Sequence, residues 1–552
     1  MAFNLAEINE AIAVAIPDRE CIVFRDRRVT WRDFNLRTRR LANVFIHHGL
    51  GCHQERAVLQ NFESGQDHVG LYLYNGNEYL EGMVGAFKAR VEPFNVNYRY
   101  VEDELIYLLN DADCRALVYH ARFAPTLQRI RGELPHLKLL LQVADESERP
   151  LLPGALDYED ALRHASAERP ALRWSDDDLY ILYTGGTTGM PKGVLWRQED
   201  IFFGALGGYP LGGSKHESID TIVAAAQAGS MRALPAPPFM HGASHWMAFT
   251  CLHQGGTVVI QHNPSRLDPN DIWSTIEREK VGFLTIVGDA FGRPLLDQLG
   301  KQPYDLSNFT LLLSGGAILT PALKQEFLDR IPHLMIIDGF GASETGGQGT
   351  QTSMAGANVI SGRFRMNAQT TVLQEDLTGP LTRGSPESGW LARNGHVPLG
   401  YFKDPEKTAR TFPVINGMRY AIPGDHAKLA ADGAIIVLGR GSVSINSGGE
   451  KIYPEEVEQA LKHHPSVYDA VVVGTPHARF GQQVTAVVQA RAGEVPPEKE
   501  LIEFCAQHLA RYKLPRQVIF VDEMVRSPSG KADYRWAKRT ALEQLGISEA
   551  RS

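Results

Sequence analysis

The chain has 552 residues, more than one hydrophobic core usually serves, so about two to four domains or subdomains are expected. Its formal net charge of −8 gives no general attraction for nucleic acid or for an anionic membrane surface. A hydrophobic content of 43% and a charged content of 22% are ordinary for a folded protein. Any site for a polyanion must therefore be built locally.

The cysteines and the N-terminus indicate a compartment. The five cysteines are scattered and form no C-x-x-C pair, which argues against a disulfide framework or a zinc site and favours a reducing environment. Residues 11–16 are apolar but too short, and too close to Glu7 and Glu10, for a signal peptide. No run approaches the roughly 18 apolar residues of a membrane helix. We expect a cytoplasmic protein without a transmembrane segment.

Residues 20–140 and 255–340 predict alternating strands and helices. Residues 20–31 predict a hairpin, and Thr30 followed by Asp33 resembles a capping box that opens the next helix. Another helix is predicted near residues 78–92, and residues 143–176 are typical of a connector. Further strands are predicted at 116–119, 258–260, 283–287, 310–313 and 334–337. This alternation predicts a doubly wound α/β fold.

Residues 183–194 are rich in glycine and threonine and contain Lys192. Glycines allow close backbone approach to a ligand, and hydroxyl and ammonium groups bind phosphate oxygens. The stretch therefore predicts a mobile anion-binding loop, with a flexible surface turn as the alternative. A Walker-type loop is excluded because Pro191, and not glycine, precedes the lysine.

Two later strands end in glycine-rich segments, at residues 314–317 and 338–347. Ligands of open α/β sheets bind at the carboxyl ends of strands, so these segments and the loop predict one nucleotide cleft. Glu344 is a candidate Mg²⁺ ligand because Mg²⁺ prefers one or two carboxylates with phosphate oxygens; the alternative is a solvated glutamate. His241 follows Pro-Pro-Phe-Met in a shaped turn where binding residues tend to lie, although a buried core histidine is the alternative.

The last hundred residues predict a separate small α+β unit. Residues 441–450 are small and flexible, which is typical of a hinge or linker. A helix near 455–461, strands at 470–473, 484–488 and 518–521, and a helix from 498 follow. Lys531 lies in the turn 526–531, where a solvated surface charge would be the ordinary interpretation.

In this order the motifs resemble the adenylate-forming superfamily of acyl-CoA synthetases, adenylation domains and luciferases, from about residue 20 to 540. They are most similar to bacterial fatty-acyl-CoA ligases. The ligases of the steroid side-chain type have sequences similar to residues 182–186 and 439–444. The resemblance implies a large N-terminal domain (1–440) of doubly wound α/β subdomains plus a small β-barrel-like part. It also implies a small mobile α+β lid domain (441–552).

The resemblance further implies a role for each matched residue. The phosphates of ATP would be held by Thr184, Gly185, Gly186, Thr187, Thr188, Gly189 and Lys192. The adenine pocket and its neighbourhood would be formed by Gly315, Gly316, Ala317, Gly339, Phe340, Gly341, Ala342 and Ser343. Asp425 would bind the ribose hydroxyls and Arg440 the ribose or phosphate side. The catalytic residues would be Lys531, Glu344 as the Mg²⁺ ligand, and His241.

The remaining roles concern the other substrates. His241 and Trp246 would border the acyl pocket and Asp289 would reshape it, because residues 285–289 lack the proline common in the family. The pantetheine tunnel would be flanked by Gly448, Gly449 and Lys451. Ser442 stands where the hinge commonly has Asp or Lys, and Gly185 stands where serine is common.

These roles imply a carboxylate–CoA ligase that uses ATP, Mg²⁺ and coenzyme A and proceeds through acyl-AMP. Two alternatives remain: a ligase that loads a carrier protein, and a nucleotide-binding regulatory protein with degenerate sites. Residues 199–232 and Trp246 favour a bulky apolar acid, fatty or steroidal. A homodimer is left open.

Overall fold

The computed structural model describes residues 3–184, 190–210, 213–229, 231–440, 443–447, 450–477, 479–527 and 530–547, with only the backbone of Arg440 and Lys451. The first part contains α1 (Leu5–Ala15), β1 (Glu20–Phe24), β2 (Arg27–Thr30), α2 (Trp31–His47), β3 (His68–Tyr72), α3 (Asn77–Lys88), β4 (Glu92–Asn95), α4 (Glu102–Asp111), β5 (Cys114–His120), α5 (Ala124–Ile130), β6 (Leu139–Val143), β7 (Leu156–Asp157), α6 (Tyr158–His164) and β8 (Leu179–Thr184).

The middle part continues the alternation. It contains β9 (Lys192–Arg197), α7 (Gln198–Ala205), α8 (Ile219–Ala228), β10 (Arg232–Pro235), α9 (Gly242–His253), β11 (Thr257–Ile260), α10 (Pro269–Glu279), β12 (Phe283–Ile286), α11 (Gly288–Leu299), β13 (Leu311–Gly315), α12 (Pro321–Arg330) and β14 (Met335–Ala342).

Short strands then dominate, followed by the C-terminal unit. The strand-rich part contains β15 (Gly346–Ser353), β16 (Arg363–Met366), β17 (Thr370–Leu373), β18 (Ser388–Arg393), β19 (Gly400–Tyr401), α13 (Pro405–Thr411), β20 (Val414–Ile415), β21 (Met418–Arg419), β22 (Asp425–Leu429) and β23 (Ala434–Arg440). The C-terminal unit contains β24 (Ile445–Ser447), β25 (Glu450–Ile452), α14 (Pro454–Lys462), β26 (Val467–His477), β27 (Gly481–Ala490), α15 (Glu498–Cys505), β28 (Gln517–Val521) and α16 (Tyr534–Gln544).

Two sheets form the α/β framework. β4, β3, β5, β6 and β7 form one parallel sheet in that order. The larger sheet has the order β17-β18-β22-β23-β16-β15-β14-β13-β12-β10-β11-β1-β2. Its central strands, β10 to β14, are parallel to one another. From β14 outward to β17, each strand is antiparallel to its neighbour. The predicted α/β class, with a strand-rich part and a small α+β C-terminal unit, is confirmed.

The predicted hairpin and helix cap near the N-terminus are confirmed. β1 and β2 pair in antiparallel fashion, and the Thr30 hydroxyl accepts the Asp33 amide at 3.1 Å to cap α2. The predicted connector 143–176 was wrong in part, because it contains α6, whose Tyr158 is buried and donates its hydroxyl to Glu81 at 2.8 Å. A buried hydrogen bond of this kind ties the segment to the core, which composition alone does not indicate.

Two predicted flexible segments contain strands. Residues 338–347 do not leave the sheet at Ile337: β14 continues to Ala342 and pairs with β15, so the segment is a hairpin with a turn at 343–345. Within the predicted linker 441–450, residues 445–447 form β24, which pairs with β25. In both cases a neighbouring strand provides hydrogen-bond partners for the backbone N–H and C=O groups of the glycine-rich segment.

The C-terminal unit has its own interior. Two hydrophobic clusters, one around Leu461 and Val488 and the other around Val471 and Ala541, draw their described members from residues 445–545. A unit with an interior of its own can in principle fold as a separate domain. No helix among the described residues is long and apolar enough to cross a membrane.

Candidate active site

The predicted adenine-site glycines come together at one edge of the large sheet. Gly315 at the end of β13 lies beside Gly339 of β14, and a Cβ built on Gly315 would lie 3.5 Å from the Gly339 carbonyl oxygen. Gly316 has φ +80°, a left-handed conformation that residues with a Cβ rarely adopt. Ala317 follows in the turn, so two parallel strand ends form the wall that the sequence predicts.

Lys531 reaches this same edge from the C-terminal unit. A Cβ built on Gly316 would lie 3.4 Å from Cε of Lys531, and one built on Gly530 would lie 3.3 Å from Val287. The backbone amide of Lys531 donates to the Ser527 hydroxyl at 3.1 Å, which holds the turn. A lysine from a distant part of the chain therefore lies beside the strand ends of the cleft.

Glu344 lies at the tip of the β14–β15 hairpin. Its Oε1 accepts the Tyr401 hydroxyl at 2.8 Å, and the indole of Trp196 donates to the neighbouring Ser343 carbonyl at 3.0 Å. The predicted residues before it belong to the first strand of this hairpin: Phe340, Gly341, which pairs with Gly347, and Ala342, which pairs with Gly346. The carboxylate is thus presented by a braced turn.

The buried side chain of Arg393 supports the turn at residues 343–345 through hydrogen bonds. It is 1% exposed, and its Nη1 donates to the carbonyls of Thr345 at 2.5 Å and Gly347 at 2.8 Å, and to that of Gly204 at 3.2 Å. Burial lowers the pKa of Arg393 to about 10. Gly346 has φ +66°, and a Cβ there would collide with the Gly204 carbonyl oxygen.

Lys192 lies at the base of the phosphate loop. It pairs with Thr184 across the β8–β9 hairpin, whose predicted ligands Gly185, Gly186, Thr187, Thr188 and Gly189 lie outside the described residues. The Lys192 ammonium forms an ion pair with Asp404, the N-cap residue of α13. Burial raises the pKa of Asp404, but the hydrogen bonds from Lys192 and the Lys407 amide outweigh it, and the pKa is lowered.

Three polar residues beside this loop were not predicted. β19 pairs with β9, which brings Tyr401 opposite Val194, and α13 follows directly with Asp404 and Lys407. The Asp-Pro pair at 404–405 is a recognisable helix start that could have revealed α13. The two-residue strand β19 offers no periodicity, so its pairing with β9 could not be read from the sequence.

The His241 segment is tied to the base of the phosphate loop. The Asn95 amide nitrogen donates to the carbonyls of Met240 at 2.7 Å and Tyr183 at 2.8 Å, and its oxygen accepts the Tyr183 amide at 2.8 Å. Asn75 similarly donates to the carbonyl of Pro237 at 2.9 Å. His241 precedes α9 and is half-buried, so it is neither a core histidine nor fully exposed.

Trp246 is held by a buried chain of hydrogen bonds. Its indole donates to the Tyr180 hydroxyl at 2.8 Å, Tyr180 lies 2.5 Å from Nε2 of His245, and Nδ1 of His245 lies 2.7 Å from the Phe239 carbonyl. A chain with this order of donors requires neutral His245. Burial lowers the pKa of His245 to about 4, which agrees.

Asp289 faces the C-terminal unit. It accepts the Thr320 amide at 2.8 Å, and Nζ of Lys462 lies 3.8 Å from its carboxylate. Burial raises the pKa of Asp289. The residue lines a cavity of about 500 Å³ whose wall also includes Phe291 and, from the C-terminal unit, Arg526.

The remaining predicted residues lie at the junction of the two parts. Asp425 is buried and opposes Arg440 across β22 and β23. Lys451 pairs through its backbone with Asn446. Ser442, Gly448 and Gly449 lie outside the described residues.

Comparisons with known proteins agree with this geometry. The family of AMP-binding enzymes matches residues 10–402, and its C-terminal domain matches residues 456–531. The medium-chain acyl-CoA ligase Mig of Mycobacterium avium is 52% identical over 98% of both chains. The 3-oxocholest-4-en-26-oate–CoA ligase of Rhodococcus rhodochrous is 41% identical over 100% of this chain and 97% of that protein.

A solved structure adds the same fold. The anthranilate CoA ligase AuaEII in complex with anthranoyl-AMP superposes with a TM-score of 0.80 at 22% identity, covering 99% of this chain and 98% of that chain. The resemblance predicted from the motifs is confirmed: the chain belongs to the AMP-binding, adenylate-forming enzyme family.

Proposed function

We propose that this protein is an AMP-forming acid–CoA ligase that activates a fatty acid or a steroid side-chain acid. The relatives at 41% to 52% identity are named for medium-chain, long-chain and 3-oxocholest-4-en-26-oate substrates, and the chain covers nearly all of each. The observation that carries the proposal is the position of the Lys531 side chain beside Gly316, because it brings a cation of the C-terminal unit to the strand ends where a nucleotide would bind.

The chemistry requires charge to be neutralised. A carboxylate oxygen attacks the α-phosphorus of ATP, the bond to the bridging oxygen breaks, and its electron pair leaves with pyrophosphate. Both reactants are anionic, so cations placed where charge develops lower the barrier. Lys531 would orient the carboxylate and the α-phosphate, and alignment of the two adds a proximity contribution. A thiol then attacks the acyl carbon, and AMP leaves.

Glu344 fits a magnesium site of the kind that nucleotides complete. Its Oε1 accepts a hydrogen bond from the Tyr401 hydroxyl. Among the described residues, no group of three or more His, Cys, Asp or Glu could hold a metal without further ligands. Mg²⁺ ordinarily takes one or two carboxylates together with substrate phosphates, so a single braced carboxylate suits it. When bound there, Mg²⁺ would neutralise phosphate charge.

Substrate binding is proposed for both sides of the cleft. Thr184, Lys192 and residues 185–189 would hold the β- and γ-phosphates, and Asp425 and Arg440 the ribose side. His241 and Trp246 would border the acyl chain, and Asp289 would reshape the acyl pocket. The 440/441 boundary, the hinge at Ser442 and the tunnel at Gly448, Gly449 and Lys451 remain predictions, as do a cytoplasmic location and a homodimer.

Product analysis tests the proposal. Incubation with ATP, Mg²⁺, free CoA and a panel of medium-chain, long-chain and steroid acids is expected to release AMP and acyl-CoA. Acyl-AMP without acyl-CoA would favour the carrier-protein ligase. No acid-dependent ATP–pyrophosphate exchange with any acid would favour the nucleotide-binding protein and refute the proposal.

A further inference from the structure

Lys407 is a lysine at the phosphate end of the cleft that no motif predicted. It belongs to the first turn of α13, six positions after Tyr401, and is half-buried. Its Nζ lies 4.0 Å from the centre of the Tyr401 ring, and the hydroxyl of that ring donates to Glu344 at 2.8 Å. The ammonium therefore stands one side chain away from the proposed magnesium ligand.

Strand pairing brings this lysine to the base of the phosphate loop. β19 carries Tyr401 and pairs with β9, and β9 begins at Lys192, the residue opposite Thr184. The helix that carries Lys407 starts four residues after β19 ends. Its N-cap residue, Asp404, forms the ion pair with Lys192. Asp404 thus contacts both lysines, through the Lys192 ammonium and the Lys407 amide.

The two lysines differ in what they contact. Lys192 is paired directly with the Asp404 carboxylate. Lys407 is in none of the ion pairs formed between described residues, and its ammonium lies over the Tyr401 ring. At longer range it is attracted by Glu344 and Asp404 and repelled by Lys192 and Arg410. A cation over a ring keeps its outward donors available to a second partner. The Coulomb attraction of a pair of opposite charges is also larger in a partly buried cleft than in water.

We propose that Lys407 binds the pyrophosphate portion of ATP and the pyrophosphate product, in addition to Lys192, whose ammonium is paired with Asp404. This assignment rests on the proposed acid–CoA ligase function and adds a residue to its phosphate site. The ligand class is a polyphosphate anion, recognised by an ammonium that approaches from α13. Tyr401 serves two groups at once: its ring supports Lys407 and its hydroxyl orients Glu344.

The test compares three lysine variants. Lys407→Met removes the charge and keeps an apolar stem, Lys407→Arg keeps the charge, and Lys403→Met is the matched control. Lys403 is exposed, lies on the same segment, packs over Phe402 and pairs with Asp113 at 2.8 Å. Pyrophosphate affinity is measured by calorimetry on the full chain and as the KM for pyrophosphate in the synthesis of ATP from acyl-AMP.

Loss of one charge-assisted contact predicts pyrophosphate binding weaker by roughly tenfold to a hundredfold in Lys407→Met. Lys407→Arg keeps the charge and Lys403→Met removes only an exposed one, so both are expected to stay within about threefold of the wild type. Conversion of supplied acyl-AMP and CoA to acyl-CoA is expected to be unchanged in all three, which also reports correct folding. If Lys407→Met does not fold, Lys407→Gln provides the same comparison.

The outcomes separate this inference from the proposed function. Unchanged pyrophosphate binding in Lys407→Met, or equal losses in Lys407→Met and Lys403→Met, would overturn the assignment. If the wild type forms no acyl-AMP, the ligase proposal fails, and calorimetry with pyrophosphate still decides whether Lys407 binds the anion.

Discussion

Replacement of Gly346 with alanine tests whether the Glu344 turn is fixed by close packing. The residue has φ +66°, which costs a residue with a Cβ about 1–2 kcal/mol. Its new methyl group would also collide with the carbonyl oxygen of Gly204 and lie 2.9 Å from Nη1 of Arg393. Overpacking of a tight interior typically costs about 1–3 kcal/mol more. We therefore expect the free energy of unfolding to fall by about 2–5 kcal/mol.

Gly417→Ala provides the matched control. Gly417 has φ +77°, but a Cβ there would meet no atom within 4 Å, so only the backbone strain applies. The loss of unfolded-state entropy on Gly→Ala replacement is the same at both sites and cancels in the comparison. Gly417→Ala is expected to cost about 1–2 kcal/mol. The difference of about 1–3 kcal/mol is the packing contribution at the turn.

Urea unfolding measures the free energy of unfolding of Gly346→Ala and Gly417→Ala. The Mg²⁺ dependence of the ATP–pyrophosphate exchange rate reports whether the Glu344 turn has moved. Because Glu344 lies in the same turn as Gly346, displacement of the turn is expected to raise the Mg²⁺ concentration needed for half-maximal exchange in Gly346→Ala. Gly417→Ala is expected to leave that concentration unchanged. Equal costs for the two variants, together with unaltered Mg²⁺ dependence, would refute the view that Gly204, Arg393 and Gly346 position Glu344.

Three further predictions concern the rest of the site and the core. Lys531→Ala is expected to slow acyl-AMP formation by about a hundredfold or more, the scale of losing one charge-stabilising donor, and to spare thioester formation from supplied acyl-AMP; equal slowing of both steps, measured separately, would contradict it. Tyr180→Phe leaves Nε2 of buried His245 without its hydroxyl partner and is expected to cost about 1–3 kcal/mol in urea unfolding, whereas a cost near zero would mean that another donor replaces it. Stability is expected to fall as the pH drops from about 6.5 to 4, by up to about 3 kcal/mol for each of three histidines, because in this range the unfolded chain binds protons that these side chains do not bind when folded. Burial lowers the pKa to about 4 for His120, His245 and His253, and denaturation midpoints that are equal at pH 5 and pH 7 would contradict this.

Local patterns predicted the large elements and the strand ends of the cleft. Apolar runs indicated β12 and β13, and Gly315 and Gly316 indicated a tight turn after β13, because only glycine tolerates such a conformation. Those signals are contained in a few adjacent residues. The family resemblance supplied Lys531, whose position next to Gly316 depends on a contact between distant parts of the chain and has no local signal.

The sequence predicted the region around Glu344 less well. Glycine-rich residues 338–347 indicated a loop, yet β15 pairs with them and makes a hairpin. The support from Arg393 and Tyr401 could not be predicted, because each reaches the turn from a strand that pairs elsewhere: β18 and β19. A buried arginine whose partners here are carbonyls and a glutamine leaves no charge pattern in the sequence.

The order of strands in the large sheet has a consequence during synthesis. β1 ends at Phe24 and its partner β11 begins at Thr257, so 232 residues lie between them. At about 5–20 residues per second, the ribosome needs roughly 10–50 s to make β11 after β1. For that time the apolar strand Glu20–Phe24 has only β2 beside it, and an exposed strand edge invites pairing with other chains. Nascent chains that end before Ile260, the last residue of β11, should therefore depend on chaperones, and the demand should end once β11 has left the ribosome.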